Sequence, residues 1–314
     1  MLDFIMSNSK GFLFKFKSYS LIQVKGKEAK LFLQSILSAD LNQVQTNLSL
    51  LGLMCQLDGK VEALFRIFKL ETNHYLLKCP KDIISLQLES LKKYAMFSEV
   101  EIINNENDYK ILASIGDGIK RLNPLYSSSI PDRVNECFSN KNMLIVKIDN
   151  EPPRYEIIIS ADFWQDFAFN IVLDHPKEKA WFSHHIDHLM PEIFLSARGL
   201  FLPHYINLIR LDTVSFNKGC FKGQEILARM QHLGNIKKKL YRFKIDNYKE
   251  GNSKIETGEK IVDKNSLHIF GRIVFFVEIC NEVYGLIEGR IVEEIPSQLV
   301  CKCNMNLKVS IKRQ

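Results

Sequence analysis

The sequence lacks most of the short signatures that assign an activity at once. No GxGxxG, no P-loop and no GxSxG elbow occurs in its 314 residues, which argues against dinucleotide oxidoreductases, NTPases and α/β-hydrolases. No stretch approaches the roughly 18 uncharged apolar residues that a membrane span needs. The two most apolar runs, SLLGLMCQL and IVFFVEIC, are of strand length, so a protein outside the membrane is expected. The opening residues MLDFIMSNSKGFLFKFK have neither a basic segment ahead of a continuous apolar one nor a small-residue cleavage site, so no secretory leader is expected. Seven cysteines, at 55, 79, 137, 220, 280, 301 and 303, form an odd, scattered set without a CxxC pair. That pattern fits reduced thiols and a cytoplasmic location better than a disulfide framework. Internal repeats and low-complexity segments are absent too.

What is present is an ordinary globular composition, 46% apolar and 25% charged, in a chain too long for one hydrophobic core. The net charge of +6 is unevenly spread: from Lys218 to Lys244 there are eight Lys or Arg against one acid, Glu225. Such a local excess points to an anionic partner, nucleic acid or a polycarboxylate or phosphate ligand, or else to a solvated face.

Hydrophobic periodicity sets the organisation. Residues 19–25, YSLIQVK, read as a strand, and in KEAKLFLQSILSADL the positions Ala29, Phe32, Leu33, Ile36 and Leu37 follow one helical face. An apolar run ending at Leu57, an Asp58-Gly59 turn and VEALFRIFKL, with Val61, Ala63, Phe65 and Ile67 alternating, predict a hairpin. HYLLKC, SEVEII and KILASI extend the sheet, with KDIISLQLESLKKY a helix between them. DFWQDFAFNIV and KEKAWFSHHIDHL are further helices. NPLYSSSIPDR, residues 123–133, is rich in turn formers and marks a boundary. From Leu240 onward, short runs (LYRFKI, EKIVD, RIVFFVEI, VYGLIEGRI, LKVSIK) predict a small all-β barrel. The fold class is therefore α+β, in segments 1–122, 123–236 and 237–314.

The segment NKGCFKGQEILARMQ holds the sharpest chemical signal. Ile226, Leu227, Met230 and Leu233 line one face of a helix that Gly234 and Asn235 are expected to stop in a left-handed turn. Cys220 then lies just ahead of a helix N-terminus, where the dipole, Lys218 and Lys222 would favour a thiolate. Gly219 and Gly223 permit a sharp turn or a close approach. Locally, Cys220 reads as a nucleophile, a metal ligand or a small residue in a tight turn. His184, His185 and His188 with Glu192, and Cys301 with Cys303, are too sparse for a metal or iron–sulfur centre, and no metal site is expected.

VSFNKGCFKGQEILAR closely resembles the K-G-C-[YF]-x-G-Q-E motif of the YgfZ family. These are folate-binding tRNA-modifying proteins related to the T-protein (aminomethyltransferase) of the glycine cleavage system. FLPHYINL is similar to the family's F-[IL]-P-x-x-x-N-L segment, and SLIQVKGKEAKLFLQSILSADL and GKVEALFRIF extend the likeness over most of the chain. The resemblance implies a three-lobed aminomethyltransferase-like fold with a C-terminal β-barrel and a central pocket for folate, tetrahydrofolate or a derivative. It implies aromatic contacts to that folate from Tyr19 and Trp181. It also implies a functional thiol at Cys220 beside Lys218, in a motif completed by Gly219, Phe221, Gly223, Gln224 and Glu225. Two departures stand out. T-proteins carry an acidic pair in G-G-x-x-D-D, whereas Gly59-Lys60-Val61-Glu62-Ala63-Leu64 is apolar at both acidic positions. The family's E-A-G-x-P is here Asp187-His188-Leu189-Met190-Pro191, with the proline kept.

The implied role is support of iron–sulfur enzymes and, through them, of tRNA methylthiolation, without aminomethyl transfer. The partners are then folate, iron–sulfur enzymes, tRNA-modifying ones among them, and tRNA itself. Two alternatives stand beside it: a folate-dependent one-carbon transferase with Glu62 as base, and a tRNA-binding module gripping through Lys237, Lys238 and Lys239.

Overall fold

The computed structural model describes residues 11–122, 130–168, 173–175, 177–248 and 254–312. The turn-rich stretch from 123 to 129 and the end of DFWQDFAFNIV, residues 169–172, lie outside the described residues. The chain divides into two compact units, residues 1–52 with 65–178, and residues 53–64 with 179–314.

The first unit carries two five-stranded sheets. One has the order β1-β7-β10-β9-β8, from β1 (Phe12–Lys15), β7 (Tyr109–Ile115), β8 (Cys137–Ser139), β9 (Met143–Asn150) and β10 (Pro153–Ser160). Strands 137–160 thus share a sheet with strands from residues 12–15 and 109–115. The other has the order β3-β4-β5-β2-β6, from β2 (Tyr19–Lys25), β3 (Leu50–Cys55), β4 (Val61–Glu71), β5 (His74–Pro80) and β6 (Glu101–Asn104). The far end of the β3–β4 hairpin, residues 53–64, is counted with the second unit.

Helix α1 (Ala29–Ile36) buries Ala29, Phe32, Leu33 and Ile36 and leaves Leu31 exposed, as its spacing predicts. Leu37 is buried as well, but as the extended residue that ends the helix. Helix α2 (Ile84–Tyr94) follows β5, and α3 (Ala161–Ala168) follows β10. In β4 the expected alternation is absent, and every residue from Val61 to Phe68 is buried. A strand covered on both faces has no polar face to alternate with.

The second unit begins its helical part with α4 (Glu178–Asp187), continues through α5 (Gln224–Leu233) and ends in a closed barrel. The barrel order is β11-β14-β13-β12-β15-β16, from β11 (Lys238–Ile245), β12 (Lys260–Asp263), β13 (Ile269–Ile279), β14 (Glu282–Arg290), β15 (Leu299–Cys301) and β16 (Asn304–Lys312). Each of the short apolar runs after Leu240 supplies one of these strands. Closure leaves no strand edge unpaired, around a core that includes Phe243, Ile273 and Ile287.

Helix α5 departs from its prediction twice. Of the four residues on its apolar face only Leu227 is fully buried, while Leu233 is exposed. Gly234 is extended, with φ −79° and ψ 138°, rather than left-handed. Its N–H closes the helix on the Met230 carbonyl at 3.1 Å, and a Cβ there would stand 2.4 Å from that oxygen. Glycine is needed for close approach as the chain leaves toward β11.

Burial predicts the energetic contrast within α1. Leu33→Ala should cost about 2–5 kcal/mol by opening a cavity, and Leu31→Ala under about 0.5 kcal/mol, as measured by urea unfolding. Equal losses would contradict the placement of that face.

Candidate functional site: a clamped cysteine motif

The hairpin between β3 and β4 turns at Asp58-Gly59, where the Gln56 carbonyl accepts the Gly59 N–H at 3.0 Å and the Gln56 N–H donates to the Lys60 carbonyl at 2.8 Å. Just beyond the turn, Val61 exchanges backbone hydrogen bonds with the segment 199–201: its N–H donates to the Phe201 carbonyl at 3.0 Å, and its carbonyl accepts the Gly199 N–H at 2.7 Å. This docking carries Glu62 to a buried position. There Oε1 accepts Arg198 Nη2 at 2.7 Å and Oε2 accepts Lys222 Nζ at 2.8 Å. A carboxylate buried in this way persists because it is charge-paired and hydrogen-bonded on both oxygens.

Lys222 belongs to the cysteine motif, so Glu62 ties that motif to the hairpin and to FLPHYINL. Gly223 completes the junction. It is left-handed, φ +83°, and an added Cβ would lie 2.5 Å from the Gln56 carbonyl oxygen and 3.0 Å from the Cys55 Cβ. Gln224 opens α5, its side-chain Oε1 accepting the Phe221 N–H at 3.3 Å and its own N–H donating to the Phe221 carbonyl at 3.1 Å. Phe221 is buried, and Lys218 Nζ stands 5.3 Å from its ring centre. Glu225 faces solvent and pairs with Arg229 at 3.2 Å.

Cys220 is exposed. It precedes the N-cap Gly223 by three residues, so it stands off the helix end rather than on it. The lysines expected to flank its thiol are directed elsewhere: Lys222 to Glu62 and Lys218 over Phe221. Gly219 has open space around it and makes no close approach; of the two motif glycines, Gly223 is the one that does. Burial pushes the neighbouring Cys55 thiol up to about 12, so it stays protonated near neutral pH.

The FLPHYINL segment is a packed brace: Phe201, Ile206 and Leu208 are buried, and Asn207 Nδ2 donates to the Leu189 carbonyl at 2.9 Å. Leu189 occupies the glycine's place in E-A-G-x-P and adopts a left-handed φ of 53°. A leucine thus holds a backbone conformation that glycine would adopt freely, at a local cost of about 1–2 kcal/mol. His204 is buried, which holds its pKa below the ordinary 6.5, only partly offset by Gln231.

Tyr19 and Trp181 fall in different units. Tyr19 is the buried first residue of β2, its ring 3.8 Å from Lys78 Nζ and edge-on to Phe16 at 5.0 Å. Lys78 is bonded to Glu156, and Arg66 Nε lies 3.9 Å from Glu156 Oε2. Arg66 also donates to Asn135 Oδ1 at 2.7 Å and Ser49 Oγ at 3.1 Å. Glu156 Oε2 accepts no hydrogen bond among the described residues. Trp181 has no exposed surface and packs edge-on to His185 at 5.6 Å.

Lys78, Arg66 and Glu156 escaped the sequence analysis, although a charge inside an apolar strand run (VEALFRIF, YLLKC, RYEIII) was the available signal; Arg198, just after a short 3-10 turn, carried no such signal. Among the remaining candidates, His185 Nδ1 lies 3.8 Å from Glu192 Oε1, and no group of three potential ligands is poised for a metal among the described residues. Lys238 pairs with Glu288 at 2.9 Å, and Lys239 stands 4.9 Å from the Tyr241 ring centre.

Two outcomes follow from this geometry. Gly223→Ala forces a side chain into a left-handed position against backbone, and should cost about 2 kcal/mol or more in chemical unfolding; a neutral result would refute the junction. For His204, a lowered folded pKa means its contribution is fully present above 6.5 and is lost as the pH falls through the folded value. His204→Gln should therefore flatten the acid side of the stability–pH profile as the pH falls below about 6.5, and an unchanged slope would contradict this.

No protein-family model matches the chain. It is 29% identical over 230 residues to the tRNA-modifying protein YgfZ of Colwellia psychrerythraea, covering 73% of this chain and 70% of that one. It is 25% identical over 244 residues to the protein of the same name from Pectobacterium atrosepticum, covering 76% and 72%. Among solved structures, the glycine cleavage system aminomethyltransferase T from Bartonella henselae superposes with a TM-score of 0.72 over 98% of this chain and 87% of that one, at 14% identity. The chain is thus a relative of the tRNA-modifying proteins named YgfZ, built on the fold of the glycine cleavage aminomethyltransferase T.

Proposed function

We propose that the chain serves tRNA modification in the cytoplasm, as a folate-binding protein that supports iron–sulfur enzymes and presents Cys220 to them. The observation that carries this is the contrast within NKGCFKGQE. Phe221, Lys222, Gly223 and Gln224 are locked into the fold, and Cys220 is left exposed on that rigid base. A thiol held this way is available to a client protein without unfolding anything. No helix of the described residues is long and apolar enough to cross a membrane.

Within the first unit the folate contacts are proposed at Tyr19 and Glu156; Trp181, in the second unit, has its ring enclosed in the core. Glu156 Oε2 is a buried acceptor lacking a donor, the kind of atom a ligand N–H satisfies. The amino-pyrimidine edge of a pterin presents such donors, and Tyr19 would border its ring. When bound, a reduced folate supplies a one-carbon carrier or a two-electron reductant. The chain's own residues bind and orient it: Lys78 and Arg66 position the Glu156 carboxylate, and Lys78 fixes the Tyr19 ring.

Aminomethyl transfer draws little support. Ala63 and Leu64 are buried apolar residues at the acidic positions, and both oxygens of Glu62 are engaged by cations rather than turned to a substrate. A direct grip on tRNA through Lys237 to Lys239 is also weakened, because Lys238 is neutralised by Glu288.

Calorimetric titration with tetrahydrofolate should show saturable binding to the wild-type chain, weakened at least about tenfold in Glu156→Gln, the effect of losing one charged hydrogen bond. Tyr19→Leu should weaken it too, and an absence of binding to the wild type would overturn the folate assignment. Cys220→Ala should keep both stability and folate affinity while abolishing support of iron–sulfur enzyme activity in cells that depend on this chain. Undiminished support would reject the thiol's role.

A further inference from the structure

A cavity of about 350 Å³ opens in the first unit between the β1–β2 connection and the stretch leading from β6 into β7. Four lysines line it: Lys15, Lys17, Lys81 and Lys110. Lys81 is paired with Glu106, whereas Lys15, Lys17 and Lys110 have no carboxylate partner among the described residues. Burial, and then the charges of Lys110 and Lys17, push the Lys15 ammonium pKa below its ordinary value. Like charges are thus held together, while Glu106, which also lines the cavity, is paired with Lys81.

The wall is made of fixed backbone. Phe16 N–H donates to the Ile111 carbonyl at 2.9 Å, Lys81 N–H to Ser18 at 2.8 Å and Asn105 N–H to Leu21 at 3.0 Å. The carboxylate of Glu178 accepts the Ser18 N–H at 3.1 Å and also its hydroxyl. Ser20 and Asn105 line the same cavity. Both residues are 3% exposed, and neither Ser20 Oγ nor Asn105 Oδ1 has a hydrogen-bond partner among the described residues. Asn105 Nδ2 is committed to Gln23 at 2.7 Å, so its Oδ1 is fixed as an acceptor. Buried polar atoms are nearly always satisfied, and two orphans beside three unbalanced cations describe a site.

We propose that this cavity binds the oxyanion group, phosphate or carboxylate, of a small organic ligand. Lys15, Lys17 and Lys110 supply the charge, and Ser20 Oγ donates to an anionic oxygen. Asn105 Oδ1 accepts from an N–H or O–H on the ligand's neutral part. Tyr19, proposed above as a folate contact, also borders this cavity; the oxyanion site rests on the lysines and the two orphaned atoms, and its probes carry no pterin, so its failure and that of the folate assignment are read separately.

The full-length chain is titrated calorimetrically at low salt with inorganic phosphate and, separately, with a tri-glutamate peptide. Saturable binding of at least one probe is expected, reduced tenfold or more in Lys15→Gln/Lys110→Gln and unchanged in Lys92→Gln, an exposed lysine on α2. Removing mutually repelling charges should leave the double variant folded, which its thermal midpoint checks. Phosphate as the tighter probe identifies a phosphorylated ligand, and tri-glutamate as the tighter one identifies a polycarboxylate. No saturable binding of either probe by the wild type overturns the site, as does an equal loss in Lys92→Gln or undiminished binding by the double variant.

Discussion

Glu62, the second residue of β4, meets Arg198 and Lys222 at 2.7 and 2.8 Å within the second unit. A buried carboxylate is costly unless both oxygens are answered, and removing one partner of such a set typically costs about 3–5 kcal/mol. The arrangement therefore holds three distant stretches in one register: the hairpin, the FLPHYINL brace and the cysteine motif. Once Lys222 points inward, Phe221 follows it into the core and Gly223 meets the Gln56 carbonyl, so the chain leaves Cys220 outside.

Glu156 answers the same physical problem differently. It is buried among Lys78 and Arg66, but one of its oxygens accepts no hydrogen bond among the described residues. A saturated carboxylate holds a fold together; one with an acceptor to spare is equipped to meet a ligand. The first unit repeats this theme with opposite sign in its lysine-lined cavity, where unbalanced cations and two orphaned polar atoms await an anion. A buried polar atom without a hydrogen-bond partner among the described residues is the common mark of the two proposed ligand sites, and the fully answered Glu62 clamp differs from them in that respect.

Much of this was legible in the sequence for reasons of periodicity. The face of α1, the Asp58-Gly59 turn and five of the six strands of the barrel are local patterns that burial merely enforces, whereas β15 (Leu299–Cys301) is too short to announce itself. The cysteine motif was legible through its resemblance to a family. What stayed hidden was nonlocal. Val61 to Phe68 lost their alternation because both faces are covered, and Glu62 passed for a nearly matching catalytic acid because its partners lie 136 and 160 residues away. The helix stop failed at Gly234 because close packing against Met230, not a left-handed turn, asks for glycine there. Leu189 shows the converse, a left-handed residue that no glycine announces, held by Asn207.

A double-mutant cycle on Glu62→Gln and Lys222→Met, read as unfolding free energy, tests the clamp most directly. Residues joined in one buried ion pair couple by about 0.5–3 kcal/mol, and the account predicts a coupling of about 1.5 kcal/mol or more at this pair. Additivity within about 0.3 kcal/mol would mean that the motif is held by something other than Glu62, and the exposure of Cys220 would need another cause.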